Sequence, residues 1–169
     1  MGIFGLGGMS KEPSDILLFS ISFLSRDGII QGRKKLMKLM FLLEHLDIKR
    51  KKLVPDKMFT GNNFIIYKYG PFSFQVMDDL DKLKKDGCIT EENSAGEIKI
   101  KITESGKEKI QNIDIGEGKI ERLEMIKNNY CNMTGKQLED LSLKLLGIKK
   151  EDKEKIIGIP VTLFLSENE

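Results

Sequence analysis

A single histidine, His45, and two cysteines, Cys88 and Cys131, bound the chemistry this chain can perform. Zinc hydrolysis and histidine-assisted nucleophilic attack need imidazole or thiolate groups clustered with a base or an orienting carboxylate. His45 has only Glu44 and Asp47 nearby in sequence, and its place on a basic helix predicts a surface residue. The cysteines lie far apart and outside any metal or redox spacing, as expected of reduced, buried thiols in a cytosolic protein. Carboxylates number 26 against 28 Lys and Arg, so abundance alone singles out no acid-base pair. Gly5-Leu6-Gly7-Gly8 follows no strand and opens no helix, which excludes a phosphate loop. No catalytic residue, metal site or cofactor is predicted, and the chain reads as a non-enzymatic binding protein.

Two groups of residues could do the binding. Between Arg33 and Lys57, nine basic residues face only Glu44, Asp47 and Asp56, a local surplus in a chain whose net charge is +2. Arg33, Lys34, Lys35 and Lys38, with Lys99 and Lys101 further on, could grip the phosphates of double-stranded DNA without reading its sequence. Ser73 and Gln75, at the start of a third helix, would face base edges, with Gln75 the better reader. Asp78, Asp79 and Asp81 on that helix oppose a polyanion; equally, the lysines fit an ordinary solvated face. The second group is Tyr67, Tyr69, Phe72 and Phe74 around Gly70-Pro71. Aromatic edges at a rigid corner could anchor a partner protein, or could pack the turn against the core.

The elements that must position these residues follow from periodicity and punctuation. Ser14 is the expected N-cap of a first helix carrying Ile16, Leu17, Phe19, Ile21, Phe23 and Leu24, apolar nearly all round and hence central. Gly28–Gly32 allows a turn or a brief strand. Leu36, Leu39, Met40, Leu43 and Leu46 define an amphipathic second helix with Lys34, Lys38 and His45 on its other side. Phe64–Tyr67 is β-prone. Ser73 caps a third helix with Val76, Leu80 and Leu83 inward and Asp78–Lys82 and Asp81–Lys85 as surface pairs. Cys88–Thr90 and the alternating 97–102 predict a hairpin with Ile98, Ile100 and Ile102 inward. A short helix over Lys107–Ile113 precedes a glycine-bearing linker at 114–118. Beyond it lie an amphipathic stripe (Ile120, Leu123, Ile126, Tyr130), a capping box at Thr134 and Gln137, and a stop at Gly147.

Helix, helix, then a helix running straight into a hairpin resembles a winged helix-turn-helix domain over roughly residues 14–113. The resemblance is sharpest at Asp79-Leu80-x-x-Leu83-x-x-x-Gly87-x-Ile89 and Ile102-Thr103-Glu104-Ser105-Gly106-Lys107. A narrower match lies in Lys35-Leu36-x-Lys38-Leu39-x-Phe41-Leu42-Leu43 and Tyr67-x-Tyr69-Gly70-Pro71-Phe72-Ser73-x-x-Val76-x-x-Asp79-Leu80. These strings resemble the YwgA-like proteins and, more distantly, the SocA-like antitoxin domain family also called Panacea. The first resemblance implies a fold more than an activity; the second implies neutralisation of one protein by another.

The expected fold class is α+β: a flexible leader (1–13), a winged-helix-like domain (14–113) and a C-terminal helical extension (114–169). The expected function is a winged-helix-type regulator that contacts DNA, with an antitoxin-like or adaptor protein as the alternative. A homodimer through the C-terminal helices is expected. With 40% hydrophobic residues and no apolar run near the roughly 20 that span a bilayer, the chain is expected to be cytoplasmic and free of membrane.

Overall fold

The computed structural model describes residues 12–165, so the first eleven residues of the expected leader (1–13) lie outside the described residues. The fold is α+β. Helix α1 (Pro13–Leu24) opens two residues earlier than expected: Pro13 occupies the first turn, where its missing N–H is harmless, and Glu12 rather than Ser14 stands at the N-cap. Ser14 is buried. Strand β1 (Ile29–Ile30) leads into α2 (Arg33–His45), which ends in a short ladder, β2 (Leu46–Asp47) with β3 (Lys52–Leu53). A second hairpin, β4 (Ile65–Tyr67) and β5 (Gly70–Phe72), precedes α3 (Phe74–Lys85). Ser73 caps α3 as expected, its hydroxyl accepting from the Val76 N–H at 3.3 Å.

The isoleucine ribbon follows α3 directly as β6 (Ile89–Ser94) and β7 (Glu97–Ile102), and the three-stranded antiparallel sheet runs β1-β7-β6. Ala95 and Gly96 turn the ribbon with φ of 53° and 82°, the paired positive angles that match a hairpin's twist. Ile100 is buried and Ile102 half-buried, but Ile98 is exposed, because the ribbon's tip extends past the core. Helix α4 (Glu104–Ile110) begins three residues before its expected start, since the Thr103 hydroxyl caps it through the Gly106 N–H. Gly106 is required there: a Cβ would stand 2.2 Å from the Cys88 carbonyl oxygen.

Helices α5 (Glu117–Tyr130) and α6 (Gly135–Leu146) complete the molecule with two 3-10 turns, 150–156 and 161–164. Ile113, at the end of the expected short helix, and Ile115, in the expected linker, are buried. The expected capping box at Thr134 and Gln137 is present, and Gly147 ends α6 in the left-handed conformation. Both helices spend their apolar faces on α2: Leu123, Ile126, Leu138 and Leu143 join one core with Leu36–Leu43. Residues 158–161 run along β4, joined by hydrogen bonds from Ile66 N to Ile159 O (3.0 Å), Gly158 N to Ile66 O (2.7 Å) and Val161 N to Phe64 O (3.0 Å).

Helix α2 is therefore the centre of the molecule, and everything from Leu36 to His45 is buried. This corrects the expected wet side. His45 is fully buried between Phe41 and Phe64, with Nδ1 2.9 Å from the Val54 carbonyl oxygen. Burial drives its pKa down, so it stays neutral and donates from Nδ1. The C-terminal end of α2 is held by Arg122 of α5, whose guanidinium donates to the carbonyls of Leu43 (2.7 Å), Leu46 (2.8 Å) and Leu42 (3.3 Å). A cation there satisfies orphan carbonyls and the negative end of the helix dipole. Arg122→Met should cost about 2–3 kcal/mol of unfolding free energy, seen as a lower urea midpoint, with Arg122→Lys recovering part of it.

Among the described residues no helix is long and apolar enough to cross a membrane.

Candidate functional site

The β4–β5 hairpin carries the Tyr67–Ser73 string, and its geometry accounts for most of those residue types. Tyr67 pairs with Gly70 across a two-residue turn, Lys68-Tyr69. Gly70 sits at φ +89°, where an L side chain is strained, and its α-carbon presses on the core: a Cβ would lie 3.6 Å from Glu139 Cγ and 3.7 Å from Lys38 Cε. Pro71 is buried, and its carbonyl accepts from Lys38 Nζ at 2.9 Å. Phe72 then lies between Tyr67 and Phe74, with ring centroids 5.1 and 4.9 Å away, edge-on to Phe74. Tyr67 and Phe72 are half-buried, whereas Tyr69 is 59% and Phe74 57% exposed. The four aromatics are thus one cluster, buried at its base and open at its rim.

Beside that rim is an apolar cavity of about 260 Å3, lined by Met37, Tyr67, Tyr69, Phe72 and Met77 with Arg33, Lys34, Lys38 and Lys68 around it. Two buried carboxylates hold these cations. Glu139 of α6, 3% exposed, is bonded by Lys34 (2.6 Å) and Lys153 (3.1 Å). Burial works to raise its pKa, but the two lysine hydrogen bonds outweigh burial and keep it below the ordinary range. Glu91 of β6 takes a two-pronged bond from Arg33 and a second cation, Lys84, at 3.1 Å. The Arg33 bond is the main reason its pKa falls and that of Arg33 rises. Lys34 Nζ also stands 4.7 Å from the Tyr69 ring centre, a cation–π contact that helps fix the exposed ring.

Lys38 is the outlier. It is 2% exposed, without an ion pair among the described residues, and burial pulls its pKa down to about 7 against the attraction of Glu139.

The residues expected to grip DNA are dispersed or internally engaged. Arg33 and Lys34 are ion-paired, and Lys35 donates to the Cys131 carbonyl. Lys38 and Ser73 are interior, which corrects the expected phosphate contact of Lys38 and the expected base-edge contact of Ser73. Gln75 is exposed but accepts from the Asn63 N–H. Lys101 pairs with Glu92 at 3.1 Å, and Lys99 is half-buried on the ribbon. On α3, Asp81 meets Arg33 and Lys82 meets Glu12, in place of the expected i,i+4 pairs. Glu91, Glu139 and Glu44 carried no sequence signal, because each is defined by what another element brings to it.

A family model described as antitoxin SocA-like, Panacea domain, matches residues 36–145, more than half of the chain and the stretch holding the aromatic hairpin and both buried carboxylates. No curated protein and no solved structure matches the chain significantly.

Proposed function

We propose that this chain, which belongs to the SocA-like antitoxin, Panacea-domain family, binds and neutralises a partner protein through the β4–β5 hairpin, with no catalysis of its own. The observation that carries this reading is the aromatic cluster, whose exposed Tyr69 and Phe74 stand on half-buried Tyr67 and Phe72 beside an apolar cavity. Exposed aromatics on a rigid base bury large area at little cost in side-chain entropy, which is how interface anchors work. The hairpin is clamped on both flanks: Lys38 holds the Pro71 carbonyl, and residues 158–161 cover β4. A docking partner therefore meets a preformed surface.

The winged-helix-like order, with β1 between α1 and α2 and a ribbon after α3, serves here as the scaffold that aims this hairpin. Duplex DNA is the weaker occupant. Phosphates at α2 would have to break the Arg33–Glu91 and Lys34–Glu139 pairs, stranding buried carboxylates that cost more than a surface contact returns.

The test is growth rescue on co-expression with the toxic product of a neighbouring gene. Wild type should restore growth, and Tyr69→Ala with Phe74→Ala should abolish rescue by weakening binding about 100-fold, while the thermal midpoint stays put because both rings are largely exposed. Unimpaired rescue by the double variant would remove the hairpin from the interface.

A further inference from the structure

We infer that the segment docking on this hairpin is acidic and carries an apolar anchor: one side chain enters the cavity between Met37, Tyr67, Phe72 and Met77, and flanking carboxylates lie on Lys68 at the turn and face the cationic surplus around Glu139, with the existing ion pairs intact. The inference rests on the hairpin being the partner-binding face, and it specifies the chemistry of what binds there.

Size limits the occupant first. At about 260 Å3 the cavity is below the roughly 300–1,000 Å3 that takes a drug-sized ligand, and suits one inserted side chain. Its walls are apolar, and two of the lining residues are methionines, whose unbranched thioethers adapt to an incoming shape. A polar anchor would forfeit its hydrogen bonds to water there; an aliphatic or aromatic one would not.

Charge decides what flanks the anchor. Every ionisable side chain on the lining, tyrosines aside, is basic. The two buried carboxylates behind the site do not cancel this, because each is matched by two cations: Glu91 by Arg33 and Lys84, Glu139 by Lys34 and Lys153. The Glu139 cluster keeps a positive charge over, whereas Asp81, 3.7 Å from Arg33, brings the Glu91 cluster to balance. Lys68 adds another at the apex of the turn, exposed and without an ion pair among the described residues. A lysine-rich partner segment would meet net repulsion across this rim, and carboxylates would meet attraction that steers the encounter and fixes register.

The probes are two fluorescein-labelled peptides with the same Phe-Leu centre, one flanked on both sides by Asp and Glu and the other by Lys, titrated against the full chain by fluorescence anisotropy. The acidic peptide should bind at least tenfold tighter, its advantage should shrink as salt rises from 50 to 500 mM, and Lys68→Glu, on an exposed turn, should remove most of the preference. Equal binding of the two peptides, a preference for the lysine-flanked one, or no binding of either would overturn the inference. The underlying reading is judged separately by growth rescue. If Tyr69→Ala with Phe74→Ala loses rescue while the peptides show no acidic preference, the hairpin remains the interface and only the acidic segment is wrong. If the double variant still rescues, the hairpin reading itself fails.

Discussion

Glu44→Gln should lower the unfolding free energy by about 3–5 kcal/mol, a large part of the 5–15 kcal/mol that holds an ordinary domain together. The Glu44 carboxylate is 1% exposed and accepts from four consecutive backbone amides: Phe59 at 2.7 Å, Thr60 at 3.0 Å, Gly61 at 3.1 Å and Asn62 at 3.2 Å. The Thr60 hydroxyl adds a fifth bond at 2.7 Å. An anion surrounded by donors is a strong arrangement, and no neutral side chain reproduces it. Glutamine keeps the shape but turns one oxygen into an NH2 that points donors at donors, leaving buried amides unpaired at about 1–3 kcal/mol each before relaxation. In urea, with a slope of about 1–3 kcal/mol/M, the midpoint should fall by more than about 1 M. Amides 59–62 should also exchange their hydrogens faster. A midpoint within a few tenths of a molar of wild type would mean that the loop is held by something else. The same carboxylate bears on function, because the loop it organises feeds Phe64 into the core immediately before β4.

Local features of this fold were legible and long-range ones were not. The capping box of Thr134 and Gln137, the Ser73 cap and the Gly147 stop are each set by residues within four positions, so residue type and spacing suffice. The Tyr-x-Tyr-Gly-Pro-Phe-Ser string was informative for a related reason: a backbone at φ +89° packed against another helix favours Gly70, and that preference is visible as a glycine next to a proline between aromatic residues. Helix α2 shows the limit. Its leucine stripe announced one buried face correctly, but periodicity reports only that residues share a face, not how many neighbours close round the helix. Here α5, α6, β5 and the ribbon enclose it, so Lys38 and His45 are interior although their spacing looked solvated. Arg33 and Glu91 lie 58 residues apart, and no pattern in either segment names the other. The four aromatics were legible as a group because they sit within eight positions of one another; the cavity beside them was not, since Met37 and Lys34 reach it from α2.

Lys38→Met should stabilise the protein near neutral pH and abolish a rise in stability that wild type shows toward alkaline pH. Burial lowers the Lys38 pKa from 10.5 to about 7. Between those values the unfolded chain carries a proton on this amine that the folded chain increasingly lacks, so ν of the unfolded state is the larger and stability increases with pH. Below about pH 7 both states are protonated, and the penalty for burying the charge is present in full; above 10.5 it is gone. At one pKa unit per 1.36 kcal/mol the whole excursion is on the order of 5 kcal/mol. Methionine has similar length and no charge, so it escapes that penalty and loses only the bond to the Pro71 carbonyl, about 1 kcal/mol. Urea titrations of both proteins from pH 6 to 10 should therefore give curves that differ most at pH 6–7 and converge by pH 10; parallel curves would show that the amine is solvated. A residue that costs stability in this way needs another reason to be there, and its bond to Pro71 supplies one, because that carbonyl belongs to β5 and β5 presents Phe72 and Phe74. The more stable Lys38→Met protein is thus expected to neutralise its partner less well, by about fivefold in affinity for the loss of one orienting bond. Growth rescue that improves along with stability would separate Lys38 from the hairpin it touches.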